Sequence, residues 1–214
     1  MNKENDNDIT SWIHQNRNLD VAENVVKNVI PEKFDTYFKL YFPIIFENEE
    51  YGQIKKITYL EIAELSDLSF EGKFSAKSFP SYISPFITAS DEDEYKMLAN
   101  LQAILDDDQS IIYYGLGGEN LPEKFTDPWA SIGPMNNLPN IVKAMNEFAK
   151  MEIVNFPSYI FPKDQSWLIG NIILQSGVLV LGCQEDLAKK IRAQSEIEFI
   201  ELEAGDEYFD FGDK

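Results

Sequence analysis

The chain has a single histidine, His14, and a single cysteine, Cys183. One histidine near the start of the chain cannot supply a multi-histidine metal site, and without a second cysteine no intramolecular disulfide can form. A Ser-His-Asp triad is disfavoured on the same ground. Cys183 closes the apolar run Val178-Leu179-Val180-Leu181-Gly182, the setting of a core cysteine rather than of a nucleophile. No apolar run approaches the roughly 18 residues of a membrane-spanning helix, and the start, Met1-Asn2-Lys3-Glu4-Asn5-Asp6, lacks the basic and apolar regions of an export signal. The expectation is a cytoplasmic protein in a reducing compartment.

Positive charge is scarce as well. Eighteen Lys and Arg stand against 37 Asp and Glu, for a formal net charge of -19. Approach to a phosphate backbone or an anionic bilayer therefore adds repulsion instead of releasing counterions, which excludes nucleic acid and membrane as partners. Most of the excess sits in two segments. Residues 91–108 hold Asp91, Glu92, Asp93, Glu94, Asp106, Asp107 and Asp108 against Lys96, and residues 196–214 hold eight acids against Lys214. Such runs are solvated faces or a soluble tail, or else a surface that steers in a basic protein.

No Pro, Gly or Ser-rich linker divides the chain, so one domain over 1–214 is expected, with 1–10 disordered and 204–214 an acidic tail. Hydrophobic residues at 44% and aromatics at 13% suffice for a sizeable core. Ala22 to Val29 keeps the steps of three and four of a helix. From Phe34 to Phe46 composition favours a strand, but Phe34, Tyr37, Phe38, Tyr41 and Phe42 follow one helical face, which predicts a helix ending before Pro43. Thr58 and Glu61 match a capping box opening a helix to about Leu68. Ser90 and Asp93 repeat it ahead of an apolar stripe from Tyr95 to Leu105, with the helix stopping before Asp106-Asp107-Asp108 because three aspartates oppose the dipole at a C-terminus.

Ile111 to Tyr114 reads as a buried strand, closed by Gly115, Gly117 and Gly118, whose spacing is that of a turn and not of a phosphate loop. Asn120 to Pro139, with four prolines, reads as loop; Asn140 to Glu147 is open between helix and loop, and Phe148 to Phe156 leans to strand. Ser166 to Ile173 and Gly177 to Gly182 form a hairpin, Glu185 to Gln194 an amphipathic helix, and Ile197 to Leu202 a closing strand. The class is α+β: a largely antiparallel or mixed sheet, helices segregated to one side, and a C-terminal β-β-α-β unit.

The segment Phe161-Pro162-Lys163-Asp164-Gln165-Ser166-Trp167, with Gly182 ahead of a helix, resembles a family of uncharacterised bacterial proteins that carry an aromatic-Pro-x-Asp-Arg-x-Trp element before a hairpin, helix and strand. The resemblance extends to Pro31-Glu32-Lys33-Phe34-Asp35-Thr36-Tyr37 and to the capped helix at Thr58. Gln165 stands where that element usually has arginine, and Cys183 where a second glycine is common. The resemblance implies a shared fold and brings no activity with it.

Two functions follow as expectations. The first is a non-enzymatic protein-binding module, immunity-like, that takes a basic partner on an acidic surface, with Asp91, Glu92, Asp93, Glu94, Asp106, Asp107 and Asp108 as contacts. The alternative is an enzyme or small-ligand receptor whose pocket is lined by Tyr113, Trp129, Phe161 and Trp167, with Asp164 orienting the ligand or moving a proton. Neither implies a cofactor, and no metal ligands are assigned. Assembly through an exposed sheet edge is a minor reading, because Glu196, Glu198 and Glu201 on the final strand look suited to discouraging it.

Overall fold

The structure is a computed structural model describing residues 10–15, 25–48, 53–89, 91–105, 111–115, 129–133, 158–170 and 178–208. Among these residues the strands are β1 (Thr36–Tyr41), β2 (Ile44–Asn48), β3 (Gln53–Ile57), β4 (Ile87–Ala89), β5 (Ile111–Gly115), β6 (Trp129–Gly133), β7 (Tyr159–Pro162), β8 (Trp167–Gly170), β9 (Val178–Cys183) and β10 (Glu198–Leu202). The helices are α1 (Ser11–Gln15), α2 (Tyr59–Leu65), α3 (Asp91–Leu105) and α4 (Glu185–Arg192). Seven strands form one sheet in the order β10-β1-β9-β8-β7-β5-β6, and three form a second in the order β3-β2-β4. Every strand pair is antiparallel. The fold is α+β, as expected.

The region read as an aromatic helix ending before Pro43 is instead the strand β1, and β2 follows after Pro43. All six residues of β1 are buried, because β1 lies inside the large sheet with both faces covered. A strand buried on both faces has no polar alternation to betray its period of two, so crowded aromatics imitate a helical face. Phe38 and Leu40 face α3 and α4, while Tyr37 packs on the opposite side with Ile30, Phe34 and Val180.

The C-terminal order β8-β9-α4-β10 matches the expected β-β-α-β unit, but its strands are not all neighbours. β9 and β10 both pair with β1, one on each side of it. They therefore run parallel to each other and need the α4 crossover to do so, with a strand from far earlier in the chain inserted between them. In α4 the acids Glu185 and Asp186 open the helix and Lys189, Lys190 and Arg192 close it, in line with its dipole.

α3 and α4 share one face of the large sheet, with Met97, Leu98, Leu101, Leu105, Ala188 and Ile191 packed on Ile111, Tyr113, Ile160, Trp167 and Leu181. Its other face is covered by Ile13 of α1, a 3-10 turn at Val26–Asn28, Ile30, Phe34 and Tyr208. That turn replaces the helix expected over 22–29, of which residues 22–24 lie outside the described set. Val29 and Ile30 still donate to the Val26 carbonyl, and Pro31 after them has no amide hydrogen to continue the series. A third cluster joins Tyr41 and Val178 of the large sheet to Ile44, Ile57, Tyr59, Ile62, Phe74 and Phe79, so the small sheet and α2 extend the same body.

Several other expectations meet the structure. Thr10 is buried and its carbonyl accepts the Ile13 amide, while residues 1–9 lie outside the described set. The segment 204–208 is bound into the fold, with Ala204 and Asp206 carbonyls accepting the Lys27 and Val26 amides and Tyr208 buried. The loop expected over 120–139 contains β6. α3 is described as far as Leu105, and Asp106, Asp107 and Asp108 lie outside the described residues. Ser90, the readings over 140–156 and the hairpin turn at 171–177 lie outside the described residues.

α2 carries the capping box read from the sequence: Thr58 Oγ1 accepts the Glu61 amide at 3.0 Å and Glu61 Oε2 accepts the Thr58 amide at 2.7 Å. A second acid, invisible locally, completes the helix start. Glu198 of β10 turns its carboxylate inward to accept the Tyr59 amide at 3.0 Å and the Leu60 amide at 2.8 Å. Burial nevertheless holds its carboxyl above the usual range. Glu198→Ala leaves one partly buried amide, Tyr59, and one exposed amide, Leu60, without their acceptor, and urea unfolding should register a loss of about 1–2 kcal/mol. A Glu198→Ala protein as stable as the parent would show that the contact carries no weight.

Candidate functional site

Of the residues expected to line one aromatic pocket, Tyr113 and Trp167 lie on one face of the large sheet and Phe161 on the other. Tyr113 and Ile160 stand opposite each other on β5 and β7 and face α3, whereas the neighbouring pair, Ile112 and Phe161, faces α1. Trp167 shares the α3 face with Tyr113. Phe161 therefore lies across the sheet from both, with Trp12 edge-on at 5.3 Å. Alternation along the strands causes the split. Tyr113, Phe161 and Trp167 are buried core. Trp129 begins the edge strand β6, its backbone opposite Gly115, and its side chain lies outside the described set.

Asp164 sits in the exposed β7–β8 turn. Its Oδ1 accepts the Ser166 amide at 3.0 Å, the turn role its sequence context suggested. Gln165 beside it has a φ of 59°, and its Oε1 accepts Lys33 Nζ at 3.1 Å. An arginine there could not accept that bond. Lys33 in turn lies 4.2 Å over the Trp12 ring, and burial holds its ammonium below the ordinary range against the opposing pull of Asp164. Cys183 is fully buried against the α3 face, and burial pushes its thiol up to about 12. Such a thiol is a packing group, not a nucleophile.

The first acidic segment is engaged within the molecule. Asp93 is mostly buried and lies 2.5 Å from Lys56 Nζ and 3.7 Å from Lys96 Nζ, which also reaches Glu92 at 2.7 Å. Glu94 is half-buried on the same helical turn. Asp91 is the first residue of α3, and Asp106, Asp107 and Asp108 lie outside the described residues.

The second acidic segment builds a site. Two clefts meet at the end of β10, of about 740 and 780 Å³. The smaller runs between β10 and the segment 68–78, with four acids, Glu71, Glu201, Asp206 and Glu207, and one basic residue, Lys73, in its walls. The larger is lined by Asp35, Glu201, Glu203 and Asp206 with no basic side chain. Both are lined by Glu201, Leu202 and Asp206, so the two clefts adjoin the same acidic end of β10.

The basic groups in reach of it are already occupied. Arg192 donates Nη2 and Nε to Glu201 at 2.6 and 2.9 Å and Nη1 to Glu185 at 2.8 Å, and Lys73 pairs with Glu207. The Arg192 fork holds the Glu201 carboxyl below its usual range. Asp35 Oδ2 accepts the Glu185 amide at 3.1 Å at the start of α4. The sequence signal for this site was the acid count in 196–214; Asp35 and Glu71 join it through tertiary contact alone.

No family model, curated protein or solved structure matches the chain. Among the described residues no group of three or more His, Cys, Asp or Glu could hold a metal ion, and no helix is long and apolar enough to cross a membrane.

Proposed function

We propose that the protein is a non-enzymatic binding module that takes a basic protein partner on the acidic clefts at the end of β10. The observation that carries this reading is the lining of Asp35, Glu201, Glu203 and Asp206 without a basic side chain among them, in a chain of net charge -19. Carboxylates gathered on one concave face focus their field outward, which speeds the encounter with a cation-rich surface and repels polyanions. Both acidic segments have acids paired within the molecule, Asp93 with Lys56 and Lys96 in the first and Glu201 with Arg192 in the second, but only the second lines a cleft in which Asp35, Glu203 and Asp206 have no basic side chain beside them.

Fluorescence anisotropy with labelled polylysine tests the reading. Binding should fall at least tenfold between about 50 and about 300 mM NaCl, as screening shortens the reach of the charges. A Glu71→Lys, Glu203→Lys double variant should lose at least tenfold at the lower salt, while Glu92→Lys, Glu94→Lys loses less. Indifference to salt, or tight binding of duplex DNA in its place, would overturn the proposal.

A further inference from the structure

β10 is the terminal strand of the large sheet: β1 pairs with one side of it, and among the described residues no strand pairs with the other. Ile200, Glu201 and Leu202, three consecutive residues, all line the cleft of about 740 Å³. Successive side chains of a strand point to opposite faces, so a cleft touching three in a row opens onto the strand's edge rather than onto one face. An edge strand carries a row of main-chain donors and acceptors that an incoming extended chain can satisfy.

The charges that would guard this edge are turned away from that duty. Glu198 points inward to the Tyr59 and Leu60 amides, and Glu201 is gripped by Arg192 on the α4 side. The acids that remain at the rim, Glu71, Glu203 and Asp206, lie beside the strand rather than along it. Among the described residues no strand uses the outer main chain of β10, and the surroundings carry more acids than bases. A second copy of this chain brings the same acids and is repelled.

We infer that the partner docks by strand addition, an extended basic segment pairing with β10 as an eighth strand of the sheet. Main-chain hydrogen bonds supply the adhesion, and alternate lysine or arginine side chains reach the acidic rim. The inference rests on the reading of the protein as a binder of basic partners and adds how the partner is held.

The test uses the full chain and two fluorescein-labelled heptapeptides of sequence Lys-Thr-Lys-Val-Lys-Thr-Lys, one of them N-methylated at every peptide bond so that neither of its edges carries an amide donor. Both carry the same charge, but the methylated one cannot complete a strand ladder. The unmodified peptide should bind at least tenfold more tightly and show a β-strand amide band in isotope-edited infrared spectra when bound. Equal, salt-sensitive affinity for both peptides would overturn strand addition and leave the basic-partner reading standing. Failure of both to bind at millimolar concentration would overturn both. Sedimentation of the chain alone as a dimer from which either peptide is excluded would assign the edge to a second copy, and the inference would fall.

Discussion

Gly182→Ala should lower the melting temperature by about 5–10 °C, for a loss of about 2–3 kcal/mol. Gly182 lies in β9 between Leu168 and Tyr37. A Cβ there would stand 2.5 Å from Ile30 Cγ2 and 2.5 Å from Phe34 Cδ2, far inside contact distance. Neither atom is the tip of a flexible side chain. Ile30 is locked by branching and Phe34 by its packing, so relief requires the whole 30–34 segment to lift from the sheet. Gly170→Ala should cost less, because the nearest atoms are the terminal methyls of Val29 and Ile30 at 2.8 and 2.9 Å. Gly205→Ala meets nothing within 4 Å and serves as the neutral control. Thermal melts by circular dichroism decide the matter, and a Gly182→Ala curve that overlays the control would show that Ile30 and Phe34 do not rest on β9.

Stability should climb as pH rises above about 7, and Lys39 is the reason. Its side chain is fully buried in β1, with Nζ donating to the Gly72 carbonyl at 2.8 Å and the Phe74 carbonyl at 2.5 Å, 5.0 Å from the Tyr41 ring centre. Burial lowers its pKa to about 7. Unfolding restores the ordinary value near 10.5, so between those limits the unfolded chain binds a proton that the native state does not. The unfolding free energy then increases with pH by at most about 1.4 kcal/mol per unit. Below about pH 7 both states are protonated and the native state carries the full penalty of a buried ammonium.

Lys39→Met should remove that slope. At low pH it trades a buried charge for an apolar chain, and stability should change little or rise. At pH 9 it only deletes donors, although Phe74 keeps the Tyr41 hydroxyl at 2.7 Å, so stability should fall. Urea titrations at half-unit intervals from pH 6 to 9.5 separate the two. Parallel curves for Lys39→Met and the parent would mean that the lysine stays charged throughout.

What was legible locally came out of the sequence because its causes are local. Thr58 and Glu61 are three residues apart, Asp164 bonds an amide two residues on, and the α4 charges follow their own dipole. β1 was misread for the opposite reason. Its burial depends on β9 and β10, which flank it from some 140 to 165 residues away in the chain. No local pattern reports on partners that distant.

The amino-acid sequence by itself determined the net charge, the supply of one histidine and one cysteine, and the order of the C-terminal elements. Only the tertiary structure decided that Phe161 faces away from Tyr113 and Trp167, that Glu198 serves α2 instead of guarding the sheet edge, and that Asp35 and Glu71 join the acids of 196–208. Composition and short-range spacing are additive along a chain. Which side chains share a face or a cleft depends on the register between strands, where a slip of one residue turns every side chain to the other side.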